Sequence, residues 1–315
     1  MQNDHVGAVY ELLDDAAIII KNELQISYIE ALAEAGEMYF LQKTDQLKLP
    51  NEKAEKLKAL LEKAKFDTYE HEWVRKAFQL AVLKGLKDIS HPNRQMTPDT
   101  IGLFISYLVN KFMAGKKDVT LLDPAVGTGN LLFTVLNQLS ENTAKSYGVE
   151  IDDVLLKIAY DQANLLKKEL ELFHQDSLEP LFIDPVDTVI CDLPVGYYPN
   201  DEGAKAFELK ADEGHSFAHH LFIEQSVKHT KPGGYLFFMI PNHLFESSQS
   251  DKLKQFSRTR FILMHYCSCQ NRFLKTKPMP KVFLCFRKQV KRRKRRTKFC
   301  LRICRPSPTR RRCST

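Results

Sequence analysis

The sequence predicts an α/β protein in which a doubly wound sheet follows a helical N-terminal subdomain. Short apolar runs of strand length alternate with segments of helical spacing from residue 119 onward, an order typical of parallel α/β sheets. A Gly-x-Gly turn, Gly127 to Gly129, follows the first of these runs, whereas residues 1–90 show helical spacing alone. Together these observations predict a helical subdomain over residues 1–90 and an α/β domain over residues 91–256.

The N-terminal subdomain is expected to contain helices with one apolar face each. Leu13, Ala17 and Ile20 belong to the first stripe, since residues three and four apart share a helix face. A later helix is expected to start near Asp67 and to bury Leu80. We interpret this part as a lid or packing subdomain, and the alternative is a partner-binding surface.

Charge divides the sequence near residue 256. Residues 1–256 hold 26 of the 46 Lys and Arg residues and all 39 acidic residues, so the formal +7 arises from residues 257–315, which hold 20 basic residues and no acid. The first residues do not resemble a secretory signal, and no apolar run has the length that crosses a bilayer. We therefore expect a soluble, cytoplasmic protein without a membrane partner.

The stretch from Val119 to Asn137 predicts a buried strand, a tight turn and a helix. Gly127 and Gly129 remove side chains where the backbone bends and where a ligand could approach. Asp123 ends the strand, and open α/β sheets bind ligands at that edge. Glu150 ends the next strand, 21 residues beyond Gly129, the spacing at which such folds place an acid for ribose hydroxyls. An ordinary βα turn is the alternative reading.

Three further polar positions lie at the ends of predicted elements. Thr97 could cap a helix that has Pro98 in its first turn. Asp176 follows a third strand, over 170–174, where its carboxylate could accept from an exocyclic amine or cap a helix. A fourth strand, over 186–191, leads into Asp192. A helix over 217–227 and a fifth strand over 235–240 are expected to follow.

Six motifs occur in one order with consistent spacing. They are NRQMTP, LLDPAVGTGN, YGVEID, HQDSLEP, VICDLPVGYYP and KPGGYLFFMIP. This series resembles the class I S-adenosylmethionine-dependent methyltransferases, specifically the adenine-N6 DNA methyltransferases, and is most similar to their YtxK-like bacterial branch and to methyltransferase subunits of type I restriction systems. The resemblance covers roughly residues 91–250. It implies a Rossmann-like methyltransferase sheet, S-adenosylmethionine as cofactor, and methyl transfer to adenine N6 of nucleic acid, with DNA favoured over RNA.

The resemblance also implies a set of cofactor-binding positions. The turn around Gly127 would hold the methionine part, Glu150 the ribose, Ile151 the adenine ring and Asp176 the adenine amine. The whole implied set is Thr97, Pro98, Asp123, Pro124, Ala125, Gly127, Gly129, Asn130, Glu150, Ile151, Asp176 and Ser177.

The catalytic motif departs from the family pattern of Asn or Asp, Pro, Pro, then Tyr or Phe. The chain keeps the acceptor Asp192, followed by Leu193 and Pro194, but Val195 occupies the place of the base-stacking ring. Tyr197 lies two residues further on, so the implied catalytic set is Asp192, Leu193, Pro194 and Tyr197. The alternatives are a non-catalytic cofactor-binding or regulatory protein and methyl transfer to another substrate. Because no separate target-reading domain is recognisable, a protein partner is a further expectation.

Two histidine and cysteine groups have the spacing of partial metal sites. His215, His219 and His220 could place two imidazoles on one helix face, and Cys267-x-Cys269 with Cys300-x3-Cys304 could form half of a zinc site. No supporting carboxylate motif accompanies the histidines. The prediction is therefore that the protein holds no metal.

The composition after Phe256 indicates a shift of reading frame. Asp, Glu, Ala, Gly and Val have codons that begin with G, and only Val282 and Val290 represent them among residues 257–315. We therefore expect an exposed, poorly ordered tail that does not continue the domain, although two short apolar runs, over 261–263 and 282–284, could pair loosely with the sheet edge. The alternative is a genuine basic arm that neutralises phosphates, with its charge run from Lys291 to Arg296.

Overall fold

A computed structural model describes residues 2–87, 96–139, 143–241, 244–247, 249–268 and 281–289. Helices dominate the first part of this structure, and a seven-stranded sheet dominates the rest. The predicted fold class, a doubly wound α/β sheet with a helical N-terminal region, is confirmed. The helices before the sheet are α1 (Gln2–Leu24), α2 (Tyr28–Leu41), α3 (Asn51–Lys63), α4 (His71–Lys87) and α5 (Asp99–Met113).

Strands and helices then alternate along the chain. Strands β1 and β4 are apolar runs that end in an aspartate, as the sequence predicts, whereas β2 and β3 contain several polar residues. The elements are β1 (Val119–Asp123), α6 (Asn130–Gln138), β2 (Thr143–Glu150), α7 (Asp153–Leu165), β3 (Glu171–His174), β4 (Val186–Asp192), α8 (Asp201–Ala204), α9 (Ala218–Lys228), β5 (Thr230–Pro241), α10 (Ser250–Arg260), β6 (Phe261–Ser268) and β7 (Lys281–Lys288).

The strand order in the sheet is β3-β2-β1-β4-β5-β7-β6. Strands β1 to β5 pair in parallel, and β7 pairs antiparallel with both β5 and β6. The order reverses between β1 and β4, and doubly wound sheets bind ligands beside such a reversal. The carboxyl ends of β1, β2, β3 and β4 therefore mark the functional edge.

Apolar side chains cover both faces of the sheet. Neighbouring residues of β1 face opposite ways, since Leu121 belongs to one buried cluster and Leu122 to the other, as strand geometry requires. The cluster that contains Leu121 also contains Leu13 of α1 and Phe78 of α4. The helical subdomain therefore shares its core with one face of the sheet. Leu80, which we expected to be buried, is 46% exposed because it lies on the side of α4 that faces away from this buried cluster.

The expectation that residues 257–315 do not continue the domain is wrong for two described segments. Strand β7 pairs with β5 over all but its last residue, from Tyr235 opposite Arg287 to Pro241 opposite Lys281. Its side chains Leu284 and Phe286 are buried in the sheet core. The apolar side chains explain this pairing, because the free energy gained by burying them exceeds the cost of placing basic charges nearby. The run Lys291 to Arg296 lies outside the described residues.

Candidate active site

Four carboxylates lie at the carboxyl edge of four neighbouring parallel strands. Asp176 follows β3, Glu150 ends β2, Asp123 ends β1 and Asp192 ends β4. Each strand ends at its carboxylate or two residues before it, so the sheet order alone places these groups side by side. Such a row favours a ligand that brings positive charge together with hydroxyl and amine hydrogens.

Asp123 is the most buried member of this row, at 1% exposure. Its Oδ1 accepts a hydrogen bond from the Ala125 N–H at 3.1 Å. Burial is the main reason that the pKa of Asp123 rises to about 8; the charges of Asp192 and Glu150 add to the rise, and the hydrogen bond opposes it. Asp123 is therefore mostly protonated at neutral pH without a ligand, and a cationic ligand beside it would favour its ionised form.

The glycine turn lies between β1 and α6. Gly127 and Gly129 have φ angles of 54° and 83°, a region that favours glycine. A side chain at Gly129 would meet the Phe133 ring at 2.2 Å, whereas a side chain at Gly127 would meet nothing within 4 Å. Gly129 is therefore required by packing, and Gly127 borders open space that a ligand could enter.

Glu150 closes the turn from the neighbouring strand. One carboxylate oxygen accepts from the Gly127 N–H at 2.9 Å, and the other accepts from Ile151 and Asp152 at 2.9 and 3.0 Å. Burial raises the pKa of Glu150, although these three hydrogen bonds oppose the rise. Ile151 is 66% exposed beside it. An acceptor and an exposed apolar surface therefore lie next to each other, as a ribose and an attached base require.

Asp176 and Ser177 lie on the loop after β3. The carboxylate of Asp176 accepts from the Leu178 N–H at 2.8 Å and from the Tyr198 hydroxyl at 2.6 Å. The Ser177 hydroxyl donates to the Pro124 carbonyl. Both residues therefore tie the loop to neighbouring parts of the site, and Asp176 combines a local turn contact with a long-range one; the alternative helix cap is wrong because β4 is the next element.

Thr97 and Pro98 lie directly before α5, but Thr97 does not cap that helix. Pro98 takes the capping position without a side-chain hydrogen bond. The Thr97 hydroxyl instead donates to Oδ2 of Asp192 at 3.0 Å. The predicted cap is wrong because the hydroxyl has a long-range partner, and this partner brings Thr97 into the site. Asn93, Arg94 and Gln95 of the same motif lie outside the described residues.

The segment after β4 carries the sequence-predicted catalytic residues. Asp192 is half-buried, and Leu193 is fully buried, with its N–H bonded to the Met239 carbonyl at 3.1 Å. Pro194 follows on the same loop and is half-buried. Strand β5 therefore fixes the backbone at Leu193, and Asp192 faces the edge where the other three carboxylates lie.

The two tyrosines of this loop have different environments. Tyr198 is 5% exposed and reaches Asp176, whereas Tyr197 is 63% exposed. The Tyr197 ring stacks on Phe217 with centroids 4.9 Å apart and an interplanar angle of 13°. Val195 is 38% exposed. The available aromatic surface near Asp192 is therefore the Tyr197–Phe217 pair, of which the sequence indicated only Tyr197.

The histidines do not assemble into a metal site. His215 is exposed and pairs with Asp201, while His219 and His220 are buried. Burial lowers the pKa of His219 to about 3 and that of His220 to about 4. No group of three metal-ligating side chains occurs within the described ranges. Cys269, Cys300 and Cys304 lie outside them, as does the side chain of Cys267.

Arg75 is the site-linked residue that sequence reasoning missed. It lies on α4, is fully buried, and donates from Nη1 to Oδ1 of Asn130 at 2.7 Å. Asn130 follows Gly129 at the start of α6. The only local signal was Glu72, three residues earlier, and an i, i+3 ion pair on a helix is commonly a surface feature. Its partner 55 positions away could not be read from the sequence.

Comparison with known proteins agrees with this geometry. The YtxK N-terminal helical domain matches residues 7–86, and the N-6 DNA Methylase family matches residues 91–301. An uncharacterized protein, YtxK of Bacillus subtilis strain 168, is 88% identical over 261 residues, which are 82% of this chain and 79% of that protein.

Solved structures extend the comparison. A Listeria monocytogenes protein, described as a candidate class I S-adenosylmethionine-dependent methyltransferase, superposes with a TM-score of 0.88 at 42% identity, over 96% of this chain and 93% of that one. A type I restriction-modification methyltransferase subunit of Streptococcus thermophilus shares the fold, with a TM-score of 0.62 at 13% identity, over 91% of this chain and 66% of that one. The predicted cofactor, S-adenosylmethionine, is confirmed by the family. The chain belongs to the N-6 DNA methylase family.

Proposed function

We propose that this chain transfers a methyl group to the exocyclic N6 of adenine in DNA. The observation that supports the proposal is the position of Asp192, which ends β4 beside the buried carboxylate of Asp123 on β1. An acceptor at this place lies at the end of the strand that pairs with β1, which leads into the glycine turn. The cofactor and the target amine would therefore meet at the reversal point of the sheet.

The residues around the turn would hold the cofactor. S-adenosylmethionine supplies an electrophilic methyl group on a positively charged sulfur. Glu150 would accept from the ribose hydroxyls, Ile151 would pack on the adenine ring and Asp176 would accept from its amine. Asp123, Pro124, Ala125, Gly127, Gly129, Asn130, Ser177, Thr97 and Pro98 would line the remainder. A cationic group beside Asp123 would lower the pKa of this carboxyl and would be stabilised by the carboxylate that results.

Asp192 would act on the target amine by hydrogen bonding. The nitrogen lone pair of an exocyclic amine is delocalised into the base, so acceptors at its hydrogens strengthen it as a nucleophile and aim it. Asp192 would supply one acceptor, and backbone carbonyls near Leu193 and Pro194 would supply another. Catalysis would then consist mainly of alignment. The nitrogen would gain the methyl group as the methyl–sulfur bond breaks and leaves a neutral thioether, and it would then release one proton to solvent.

Tyr197 would replace the stacking ring that Val195 lacks. Enzymes that modify a base take it out of the helical stack and hold it against aromatic side chains. Tyr197 is exposed and is itself supported by Phe217. A base stacked on Tyr197 would thus rest on a rigid pair of rings two residues beyond the usual position.

The charge of the segment that follows Tyr197 and Tyr198 favours a second candidate function. Residues 200–216 carry five acidic residues against two lysines, and the acids are Asp201, Glu202, Glu208, Asp212 and Glu213. Lys252 and Arg260 from α10 neutralise two of them, Asp212 and Glu208. Phosphate backbones bind to basic surfaces. Either a protein partner supplies the DNA-binding surface, or the chain is a cofactor-binding regulatory protein or methylates a different substrate.

Methyl transfer from labelled cofactor decides between these candidates. We propose a cytoplasmic location, in which duplex DNA, single-stranded DNA, RNA and protein are all present. Each is therefore tested as a methyl acceptor. Label in DNA that digestion releases as N6-methyladenine, and that disappears with Asp192→Ala, would support the proposal. Cofactor binding without transfer to any nucleic acid would reject it.

A further inference from the structure

The charged group of Arg75 lies deep in the protein, between the helical subdomain and the sheet. Its side chain is 0% exposed. Two of its nitrogens donate to the Glu72 carboxylate at 2.9 and 2.6 Å, and Asp99 Oδ1 lies 2.8 Å from Nη2. The third partner, Asn130, is on the opposite side of the interface. Arg75 thus joins α4, α5 and α6 at one point.

Arg75 also fixes which way the Asn130 amide faces. A guanidinium only donates hydrogen bonds, so the Asn130 oxygen must face Arg75. The Asn130 nitrogen then points to the Thr97 carbonyl and donates to it at 3.0 Å. The Thr97 hydroxyl in turn donates to Asp192 at 3.0 Å. A continuous series of hydrogen bonds therefore connects Arg75 with Asp192.

Simple attachment of the two parts does not require this arrangement. The helical subdomain and the sheet already share an apolar core. A buried ion pair contributes little net stability compared with apolar side chains of similar volume, because desolvation of the charges is costly. The guanidinium instead fixes the orientation of its partners, because its N–H groups donate in fixed directions.

We propose that Arg75 is a positioning residue, which orients Asn130 and Thr97 and through them the Asp192 acceptor. This inference rests on the proposed function for its effect on turnover, and on the family's cofactor for its effect at the glycine turn. The helical subdomain accordingly belongs to the working site. Without it, the Asn130 amide has no fixed orientation and Thr97 loses its donor.

Three variants test the series. Arg75→Met removes the charged group with similar volume. Asn130→Asp keeps an acceptor toward Arg75 but places an oxygen opposite the Thr97 carbonyl. Lys157→Met is the matched control, because Lys157 pairs with Glu34 and Glu37 across the same subdomain interface without a link to Asp192. Each full-length variant is compared at a temperature well below its unfolding midpoint.

We expect Arg75→Met and Asn130→Asp each to lower kcat about 10- to 100-fold, with the KM for DNA changed less than about threefold, since misplaced reacting groups cost this much. The double variant should be no worse than about the poorer single one, because coupled residues are non-additive. Lys157→Met should lower the unfolding midpoint while kcat stays within about twofold. If Arg75→Met fails to fold, Asn130→Asp and the control suffice for the test.

The affinity for the cofactor tests the inference even if the proposed function is wrong. If the wild type binds S-adenosylmethionine but methylates no nucleic acid, calorimetry should still show weaker binding in Arg75→Met and Asn130→Asp than in Lys157→Met. If kcat and cofactor Kd of both variants equal those of the control, Arg75 is only structural and the inference is overturned.

Discussion

The Tyr198 hydroxyl donates a hydrogen bond to Oδ2 of Asp176 at 2.6 Å. Burial raises the pKa of Tyr198, and the hydrogen bond to Asp176 raises it further. The phenol therefore stays protonated and keeps this bond at physiological pH. Of the two adjacent tyrosines, Tyr198 is thus occupied in holding the loop, which leaves Tyr197 as the ring available to a base.

Replacement of Tyr197 tests its stacking role. Tyr197→Ala should raise the KM for DNA and lower kcat/KM by about 10- to 100-fold, since stacking of a base on an aromatic ring is worth about 1–3 kcal/mol. Tyr197→Phe keeps the ring and should retain activity within about threefold. Steady-state methylation assays measure both. Equal losses in the two variants would point to the hydroxyl instead of the ring.

Loss of the Glu150 carboxylate should weaken cofactor binding. A hydrogen bond to a charged acceptor is worth about 1.5–3 kcal/mol, so we expect Glu150→Ala to raise the Kd of S-adenosylmethionine about 10- to 150-fold. Calorimetry measures this change. Asp153→Ala, an exposed position in the same turn, is the control. Unchanged affinity in a folded Glu150→Ala protein would remove Glu150 from the cofactor site.

Asp192 should separate turnover from cofactor affinity. Asp192→Ala is expected to abolish methyl transfer because the target amine loses its acceptor, while the cofactor Kd stays within about threefold. Parallel transfer assays and calorimetry on one preparation give both values. Turnover equal to that of the wild type would exclude Asp192 from the mechanism.

Asp161 should make stability depend on pH. It is 1% exposed, and neither carboxylate oxygen has a hydrogen-bond partner in the part of the chain that the structure describes. Burial raises its pKa to about 8, opposed by Lys157 and assisted by Glu37 and Glu34. Between about pH 4 and pH 8 the unfolded chain therefore releases a proton that the folded protein keeps, so stability falls as the pH rises through this window.

Asp161→Asn removes this titration. Urea unfolding at pH 5 and pH 8 should show a smaller loss of stability in the variant than in the wild type, by on the order of a few kcal/mol. The asparagine should also be the more stable protein at pH 8. Parallel pH profiles of the two proteins would contradict the assignment.

Phe286 tests whether β7 belongs to the folded domain. Its ring is 2% exposed and lies 4.2 Å from the Phe261 ring, centroid to centroid. Phe286→Ala should lower the free energy of unfolding by about 3–5 kcal/mol. Arg287→Ala, at the exposed neighbouring position, should cost less than about 1 kcal/mol. No loss for Phe286→Ala would favour the frame-shift hypothesis, which sequencing of the gene around codon 256 tests directly.

Sequence reasoning succeeded where the signal is local. The apolar run before Asp123, the glycines after it and the spacing to Glu150 all lie within residues 119–150, and each follows from backbone geometry. The fifth strand, predicted over 235–240, begins earlier, at Thr230, and its pairing with β4 shifts register between Val186 and Thr188. Local sequence patterns therefore predicted the first strand–helix–strand unit of the sheet and the part of the site between the glycine turn and Glu150.

The failures share a different cause. The Thr97 hydroxyl could cap a helix by sequence, but its partner is Asp192, 95 residues away. Arg75 resembled a surface residue because its partner Asn130 lies 55 positions away in the sequence. After Phe256, composition and charge outweighed two short apolar runs in our prediction, although burial of Phe261, Leu284 and Phe286 is what decides the fold. Long-range partners are not visible in one sequence.

The place of β7 between β5 and β6 has a consequence for biosynthesis. Strand β6 is made before β7, yet it hydrogen-bonds to β7 and has no ladder with β5. The five parallel strands can therefore assemble in the order of translation, whereas β6 must wait unpaired until the ribosome has delivered β7. During that interval two strand edges, those of β5 and β6, are open to other chains.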